Sequence, residues 1–392
     1  MTVAAQATPL PPLVAAADTL TAEELTRYSR QIVLPGFGPL GQGRLANARV
    51  LVVGAGGLGS ATITALAALG VGTVGIVDAD IVELSNLPRQ SIHDPGSVGA
   101  GKAASAAASV RALATRTRAV VHDLRLTREN ALGILGDYDL VLDGSDNFAT
   151  RYLVNDAAAI LGTPLVWGAV HRFGGQAGVC WAVHGPQYRD LFPQPPEPGS
   201  VPSCEEAGVL PSVCAVVGGI MVGEAVKLIT GTGRTLLGRV TSYDALTGGF
   251  RELAYERDPE GAPITELVDY DAFCGTTPPG DTAGTVVRPT SITAPELARR
   301  LAAGEQLTVV DVREPWEAEI ASIPGGLLKP LPGIEGWVGE VPAEGAVVLY
   351  CHHGIRSETA RRRLAASGVE ALSLTGGIDA WSLSVDPRVA RY

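Results

Sequence analysis

A chain of 392 residues has room for two or three domains of ordinary size, and its 46% hydrophobic content is ample for their cores. The formal net charge of −11 argues against non-specific binding to nucleic acid or to an anionic membrane. Five widely spaced cysteines, odd in number, do not make a disulfide framework and suit a reducing cytoplasm.

Met1–Ala17 is rich in alanine and proline, and residues 1–18 are expected to be a disordered tail. No basic region precedes its apolar residues, so it does not read as a secretory signal. Thr19 or Thr21 can cap a first helix that carries Arg27-Tyr-Ser-Arg-Gln31 and breaks at Leu34-Pro-Gly36. After a short helix, Gly38–Leu45, comes Val50-Leu-Val-Val-Gly-Ala-Gly-Gly-Leu-Gly-Ser60, which predicts a buried strand, a tight turn and a helix. Gly54, Gly56 and Gly59 let the backbone approach a phosphate at the next helix N-terminus. A strand at Thr73–Val77 ends in Asp78-Ala-Asp80, where a carboxylate could take a ribose hydroxyl. Alone, these residues describe a nucleotide site of unstated kind, with NAD as the default.

From Val50 to Leu142 strand and helix alternate, as in a doubly wound Rossmann-like α/β sheet. Tyr138–Asp143 is a strand running into Asp143-Gly-Ser-Asp-Asn147, and Arg151–Leu161 is a helix. Pro164–Ala169 and Gln176–Trp181 read as strands, and Gly185–Val209 as a long loop that is either a functional flap or disordered. Pro211–Thr230 is helical; Glu224 and Lys227 within it favour a buried helix over a membrane span. Arg239–Tyr255 is a hairpin. Thr276–Thr290, with Pro-Pro-Gly and no apolar period, separates a domain at 19–275 from a small α/β domain at 291–392. In the latter, Ser291 or Thr293 caps a helix, strands follow at Leu307–Val312 and Ala346–Tyr350, and the second runs into Cys351.

Several polar residues sit just past strand ends, where open α/β sheets bind ligands. Asn86 and Arg89 lie in Ser85-Asn-Leu-Pro-Arg-Gln90, and Lys102, one of three lysines in the chain, stands at a helix start. Asp146 suits Mg²⁺ through one or two carboxylate contacts, or it could merely cap the helix near Asn147. Each cation alone reads as a solvated surface charge. Together, acid, amide, Arg, Lys and second acid describe a nucleoside triphosphate with its metal. An NAD-dependent oxidoreductase would leave Arg89, Lys102 and Asp146 unexplained.

Arg27-Tyr-Ser-Arg-Gln31, Gly54–Gly59, Asp78-Ala-Asp80, Ser85–Gln90, Lys102 and Asp143–Asn147 together resemble the MoeB/ThiF family, relatives of ubiquitin-activating enzymes, from about Thr19 to Gly275. The resemblance implies adenylation, with ATP and Mg²⁺, of the C-terminal glycine of a small ubiquitin-like sulfur carrier ending in Gly-Gly. Carried over by position, Gly57, Asp78, Asn86, Arg89 and Lys102 hold ATP, with Arg89 and Lys102 as the catalytic cations. Gly54, Gly56, Gly59, Asp80, Ser85 and Asn147 belong to the same nucleotide-binding segments, and Asp146 holds the metal. Arg30 is expected to reach the phosphates from the other subunit of a homodimer. Many family members carry two Cys-x-x-Cys pairs that bind zinc. Here Gln187-Tyr-Arg-Asp190 takes the place of the first pair and only Cys274 stands near the second, so no zinc site is expected. Cys204, in the flap, matches a family cysteine beside the adenylate and is a candidate for a covalent link with the carrier or with Cys351.

Tyr350-Cys-His-His-Gly-Ile-Arg-Ser357 puts a cysteine between a strand and a helix, so loop N–H groups, the helix dipole and Arg356 would favour a nucleophilic thiolate. With Asp311-Val-Arg-Glu-Pro-Trp316, Ile323-Pro-Gly325 and Gly376-Gly-Ile-Asp-Ala-Trp381, it resembles a rhodanese domain over about Ser291–Trp381. Only four residues separate Cys351 from Arg356, a cradle shorter than that of dual-specificity phosphatases and suited to sulfane sulfur. Ser322 stands where many rhodaneses have histidine. The two resemblances imply one enzyme, an adenylyltransferase whose acyl-adenylate meets a Cys351 persulfide charged by a cysteine desulfurase or by thiosulfate. The alternative is a rhodanese domain that serves only as a sensor.

Overall fold

Val50, Leu51 and Val52 have no exposed surface, because the strand they form lies at the centre of a sheet covered on both faces. This strand, β1 (Arg49–Val53), sends Val50 and Val52 into one core and Leu51 and Val53 into the other. The structure, a computed structural model, describes residues 10–17, 19–196, 207–274, 290–341 and 346–391. It divides the chain into two compact units, Met1–Pro278 and Pro279–Tyr392.

The first unit is built on an eight-stranded sheet. After β1 come β2 (Thr73–Val77), β3 (Arg118–His122), β4 (Leu140–Asp143), β5 (Leu165–His171), β6 (Gly174–Cys180), β7 (Arg239–Asp244) and β8 (Gly249–Ala254). Their spatial order is β3-β2-β1-β4-β5-β6-β7-β8. The first five run parallel, and β6, β7 and β8 join antiparallel. The order reverses between β1 and β4, which opens a crevice at their carboxyl ends.

The predicted first helix is two pieces, α1 (Ala22–Arg27) and α2 (Ser29–Ile32), followed by α3 (Gly38–Asn47). Thr21 is the cap of α1, in a reciprocal capping box with Glu24. Helix α4 (Gly57–Leu69) leaves the glycine loop, α5 (Lys102–Leu113) begins at the lysine itself, and α6 (Phe148–Leu161) follows β4. Helix α7 (Pro211–Thr230) is long and apolar enough to cross a membrane, yet 61% of its apolar window is buried inside the unit. Its Glu224 carboxylate accepts the Leu236 N–H at 2.7 Å and pairs with Lys227.

Residues 10–17 depart from the expected disordered tail. Leu10, Leu13 and Val14 pack on the core, and the Leu13 N–H donates to the Leu228 carbonyl at 3.2 Å. Their apolar side chains gain more by burial than alanine and proline content alone suggests. Residues 1–9 and 18, and the expected linker except for Thr290, lie outside the described residues.

The second unit holds five parallel strands, β9 (Ser291–Ile292), β10 (Leu307–Asp311), β11 (Leu327–Leu328), β12 (Ala346–Tyr350) and β13 (Ala371–Leu374), in the order β11-β10-β12-β13-β9. Helix α8 (Pro315–Ile320) follows β10, and α9 (Ile355–Ala366) follows β12. Thr293, rather than Ser291, caps the helix Ala294–Ala302. Strand β12 is central, so its end places Cys351 in the middle of the carboxyl edge.

Candidate active sites

In the first unit the chain leaves β1 at Gly54, whose φ of +87° suits glycine, and turns into α4. A Cβ at Gly59 would stand 1.9 Å from the Gly54 carbonyl, so the close return of helix to strand requires glycine there too. The loop is braced at Ala55 from two sides. Its N–H donates to the Asp78 carboxylate at 2.7 Å, and its carbonyl accepts from His93 Nε2 at 3.1 Å. Burial pushes the Asp78 carboxyl up, against the pull of the Ala55 and Asp80 N–H donors. Burial also pushes the His93 imidazole down, and its Nδ1 lies 2.9 Å from Ser105 Oγ. Nothing in the local sequence marks His93; it emerges only when β2 and α5 assemble around the loop.

Lys102 is buried, and its Nζ donates to the Asp80 carboxylate at 2.9 Å, while the Asp80 side chain is 72% exposed. Ser85, Asn86 and Arg89 form a turn beside them. The Asn86 side chain is buried and accepts the Glu83 N–H at 3.2 Å, Ser85 Oγ donates to Glu83 at 3.2 Å, and Arg89 donates to the Ser85 carbonyl at 3.1 Å. That turn abuts the glycine loop, since a Cβ at Gly57 would lie 3.5 Å from the Arg89 carbonyl and 2.7 Å from Cys214 Sγ. Gly56 faces the Gln90 amide.

Across the crevice, the loop after β4 comes within van der Waals reach of Gly54 at Gly144. Asp143 is fully buried and accepts the Ser145 N–H at 2.9 Å, and burial pushes its carboxyl up. Buried Arg151, which the sequence reading passed over, donates to the Ser145 carbonyl at 2.7 Å and holds the loop from beneath. Asn147 is the cap of α6, accepting the Thr150 N–H at 2.8 Å. The cap reading therefore belongs to Asn147, and Asp146 is left exposed at the mouth. Arg30 is exposed on α2, and no hydrogen bond or ion pair among the described residues links it to the other candidates.

Where zinc-binding cysteines were sought, ordinary side chains form a cluster. Asp156 accepts from Arg189 at 2.8 and 2.6 Å and from the Tyr270 hydroxyl at 2.6 Å. The Arg189 guanidinium lies over Phe273 at 4.7 Å and Tyr152 at 5.0 Å. Asn155 binds Gln187 at 2.7 Å. Among the described residues no group of His, Cys, Asp or Glu is arranged to hold a metal, and the residues at this corner do not fit zinc. Cys180, Cys214 and Cys274 are buried, and burial pushes the Cys274 thiol up. Cys204 lies outside the described residues.

In the second unit Cys351 is 2% exposed at the end of β12. The Gly354 N–H donates to its Sγ at 3.1 Å, and Ser357 Oγ lies 3.7 Å away. Gly354, with φ of +101°, caps α9, so the sulfur sits at the N-terminus of a 12-residue helix. The Arg356 guanidinium is engaged by Glu317 through two bonds of 2.6 and 2.7 Å. Glu317, on α8, was not singled out in the sequence. Buried Arg313 is likewise matched to Asp311 at 2.8 and 2.6 Å. His352 stacks on His353 with ring centroids 4.0 Å apart, and burial, with His353 beside it, brings its imidazole down to about 4.

Both arrangements suit the chemistry of enzymes that activate a carboxylate and carry sulfur. Residues 28–263 match the model of the ThiF family, and residues 293–384 that of the Rhodanese-like domain. The chain belongs to the ThiF family and carries a rhodanese-like domain. Among its relatives, the probable adenylyltransferase/sulfurtransferase MoeZ of Mycobacterium tuberculosis is 49% identical over 392 residues, covering 98% of this chain and 100% of that protein. The sulfur carrier protein adenylyltransferase of Thermus thermophilus is 52% identical over 267 residues, covering 65% of this chain and 98% of that protein. Adenylyltransferase and sulfurtransferase MOCS3 of Sus scrofa is 37% identical, covering 98% of this chain and 90% of its own. This chain is an adenylyltransferase and a sulfurtransferase. Escherichia coli MccB, solved with MccA-N7isoASN, shares the fold of the larger unit with a TM-score of 0.56 at 17% identity, over 64% of this chain and 76% of that one.

Proposed function

We propose that the larger unit uses ATP to adenylate the C-terminal glycine of a small ubiquitin-like sulfur carrier, and that the smaller converts that carboxylate to a thiocarboxylate. The observation that carries this reading is the presence, on one chain, of a braced glycine loop flanked by Lys102 and Arg89 and of a buried Cys351 at a helix N-terminus. The naming of the Thermus relative for a sulfur carrier supports the substrate. The naming of MccB structures for ATP and a peptide supports the two ligands of the first step.

In the first step the carrier carboxylate attacks the α-phosphorus and pyrophosphate leaves; the carboxylate is already ionised, so no general base is needed. Gly54, Gly56, Gly57 and Gly59 offer the close backbone approach, and Asp78, with Asp80, Ser85 and Asn86, shapes the nucleoside side of the pocket. Arg89 and Lys102 offset charge that grows on the phosphate. Exposed Asp146, beside Asp143 and Asn147, has the oxygen donors that Mg²⁺ prefers and would hold it. The ion would supply charge neutralisation and alignment of the phosphates.

In the second step a Cys351 persulfide, loaded by a protein persulfide of the cysteine-desulfurase kind or by thiosulfate, attacks the acyl carbon and AMP leaves. The acyl disulfide is then cleaved by a thiol, for which Cys204 is the candidate on this chain, releasing the carrier thiocarboxylate and leaving a disulfide to be reduced. Arg30 is assigned to the phosphates of a second subunit in a homodimer; the exposure of nearby Val33 and Leu34, at 73% and 54%, supports an interface there.

Intact mass of a candidate carrier after incubation with the full chain, ATP, Mg²⁺ and a sulfur donor tests the reading. Replacement of one carrier oxygen by sulfur, lost in Cys351→Ala, is the expected result. Pyrophosphate exchange without sulfur gain would leave only the first half standing, and a Cys351→Ala chain that still thiolates would favour the sensor reading.

A further inference from the structure

The two arginines of the segments that form the Cys351 cradle, Arg356 and Arg313, are each paired with a carboxylate. Arg356 is the cation closest to it in sequence, and both of its terminal nitrogens are bonded to the Glu317 carboxylate, at 2.6 and 2.7 Å. Both partners are sheltered, with side chains 17% and 4% exposed. Arg313, completely buried, is matched in the same way to Asp311. His352 is neutral near pH 7, because burial and the neighbouring His353 lower its affinity for a proton. The donors that the described residues aim at the sulfur are the Gly354 N–H at 3.1 Å and the N-terminus of α9, which carry partial charges.

Glu317 also has a second job that fixes where its carboxylate lies. As the third residue of α8 it accepts the Glu314 N–H at 3.0 Å in a capping box. The same carboxylate thus joins the start of α8 to Arg356. The pairing follows from the way α8 packs beside the Cys351 loop.

We infer that Glu317 is a specificity-determining residue for sulfur loading: by neutralising Arg356 it makes the cradle select a singly charged persulfide donor over a dianionic one such as thiosulfate. The inference rests on the reading of Cys351 as the sulfur carrier of this unit. With a persulfide donor, the Cys351 thiolate attacks the terminal sulfur, the donor S–S bond breaks, and the donor leaves as a thiolate. With thiosulfate the same attack releases sulfite. Both steps balance without an added oxidant, so they differ chiefly in the charge brought to the thiolate. A dianion approaching a thiolate whose neighbouring arginine is already paired is repelled; a monoanion is repelled half as strongly. An uncommitted Arg356 would reverse that order for thiosulfate.

The test uses the full chain and two probes, thiosulfate and the persulfide of 2-mercaptoethanol, with Cys351 persulfide formation followed by intact mass. In Glu317→Gln the amide still accepts the Glu314 N–H, so the helix start is kept while the charge is removed. Its kcat/KM for thiosulfate is expected to rise about tenfold, with the mercaptoethanol persulfide changing by less than about twofold. Glu317→Asp, which keeps the charge, is expected to retain the parent ratio. A ratio unchanged in Glu317→Gln, or equal losses with both donors, would overturn the inference. The unmodified chain gives a second reading that needs no variant. Thiosulfate loading should speed up with added salt, as repulsion is screened; slowing would show an attracting cation at the cradle and overturn the inference. Cys351→Ala separates the premises, since loading that survives in it would strike the sulfur-carrier reading itself and not the role of Glu317.

Discussion

The loops that leave β1 and β12 both follow a parallel strand, both use a glycine with positive φ, and both open onto a helix N-terminus. They differ in how their charges are held. After β1, Lys102 is paired with an exposed Asp80, and Asp146 stands exposed. After β12, Cys351 is buried, and Arg313 and Arg356 are each paired with a sheltered carboxylate. The first loop is lightly paired, its lysine held by a carboxylate that water reaches. The second is internally paired, with both arginines held by buried carboxylates. The difference teaches that a shared strand–loop–helix plan does not fix the polarity of a site; the residues donated by neighbouring elements do.

Four changes would break or sharpen this contrast. Cys351→Ser should abolish persulfide formation, read by mass, while leaving ATP–pyrophosphate exchange unaltered; loss of both would mean the sites are not chemically separable. Lys102→Ala should lower exchange by about 10²–10³-fold, the usual cost of removing one charge-stabilising donor, without affecting Cys351 loading. An equal loss in the two assays would point to unfolding rather than chemistry. Arg189→Ala leaves Asp156 buried without its ion pair and should lower the stability of the larger unit by about 3 kcal/mol in denaturant titration. A change below the scatter of the method would show that Tyr270 and Asn155 suffice.

The smallest effect is one of pH. The folded chain holds His352 down to about 4 from a usual value near 6.5. Between those values the unfolded chain binds more protons, so stability is present above about 6.5 and is lost as pH falls toward 4. The difference in thermal midpoint between neutral and mildly acidic buffer should shrink in His352→Gln. An unchanged difference would assign the acid sensitivity elsewhere.

Much of the plan was legible in the sequence because the signals are local. The strand-to-glycine transition at Val53-Gly54, the lysine at the start of α5 and the cysteine after Tyr350 all declared their elements from a few neighbouring residues. What escaped was the set of residues that reach these loops from elsewhere. His93 meets Ala55 across 38 positions and Glu317 meets Arg356 across 39. No periodicity or spacing announces such pairs, since only the packing of α8 against the Cys351 loop, or of α5 against β2, creates them. The split of the first helix at Tyr28 escaped for the opposite reason: its composition stays helical while buried Tyr28 bends the backbone to pack at 5% exposure.

The cluster around Asp156 has a consequence for how this corner of the molecule is made. Arg189, Tyr270 and Asp156 are all supplied by the chain, so the clasp is complete at the moment the segments meet and waits on no delivery from outside. Its strength depends on ionic conditions and temperature instead of supply. Because the penalty for drying a charged pair falls as temperature rises, a clasp of this composition keeps its grip on warming better than it does in the cold.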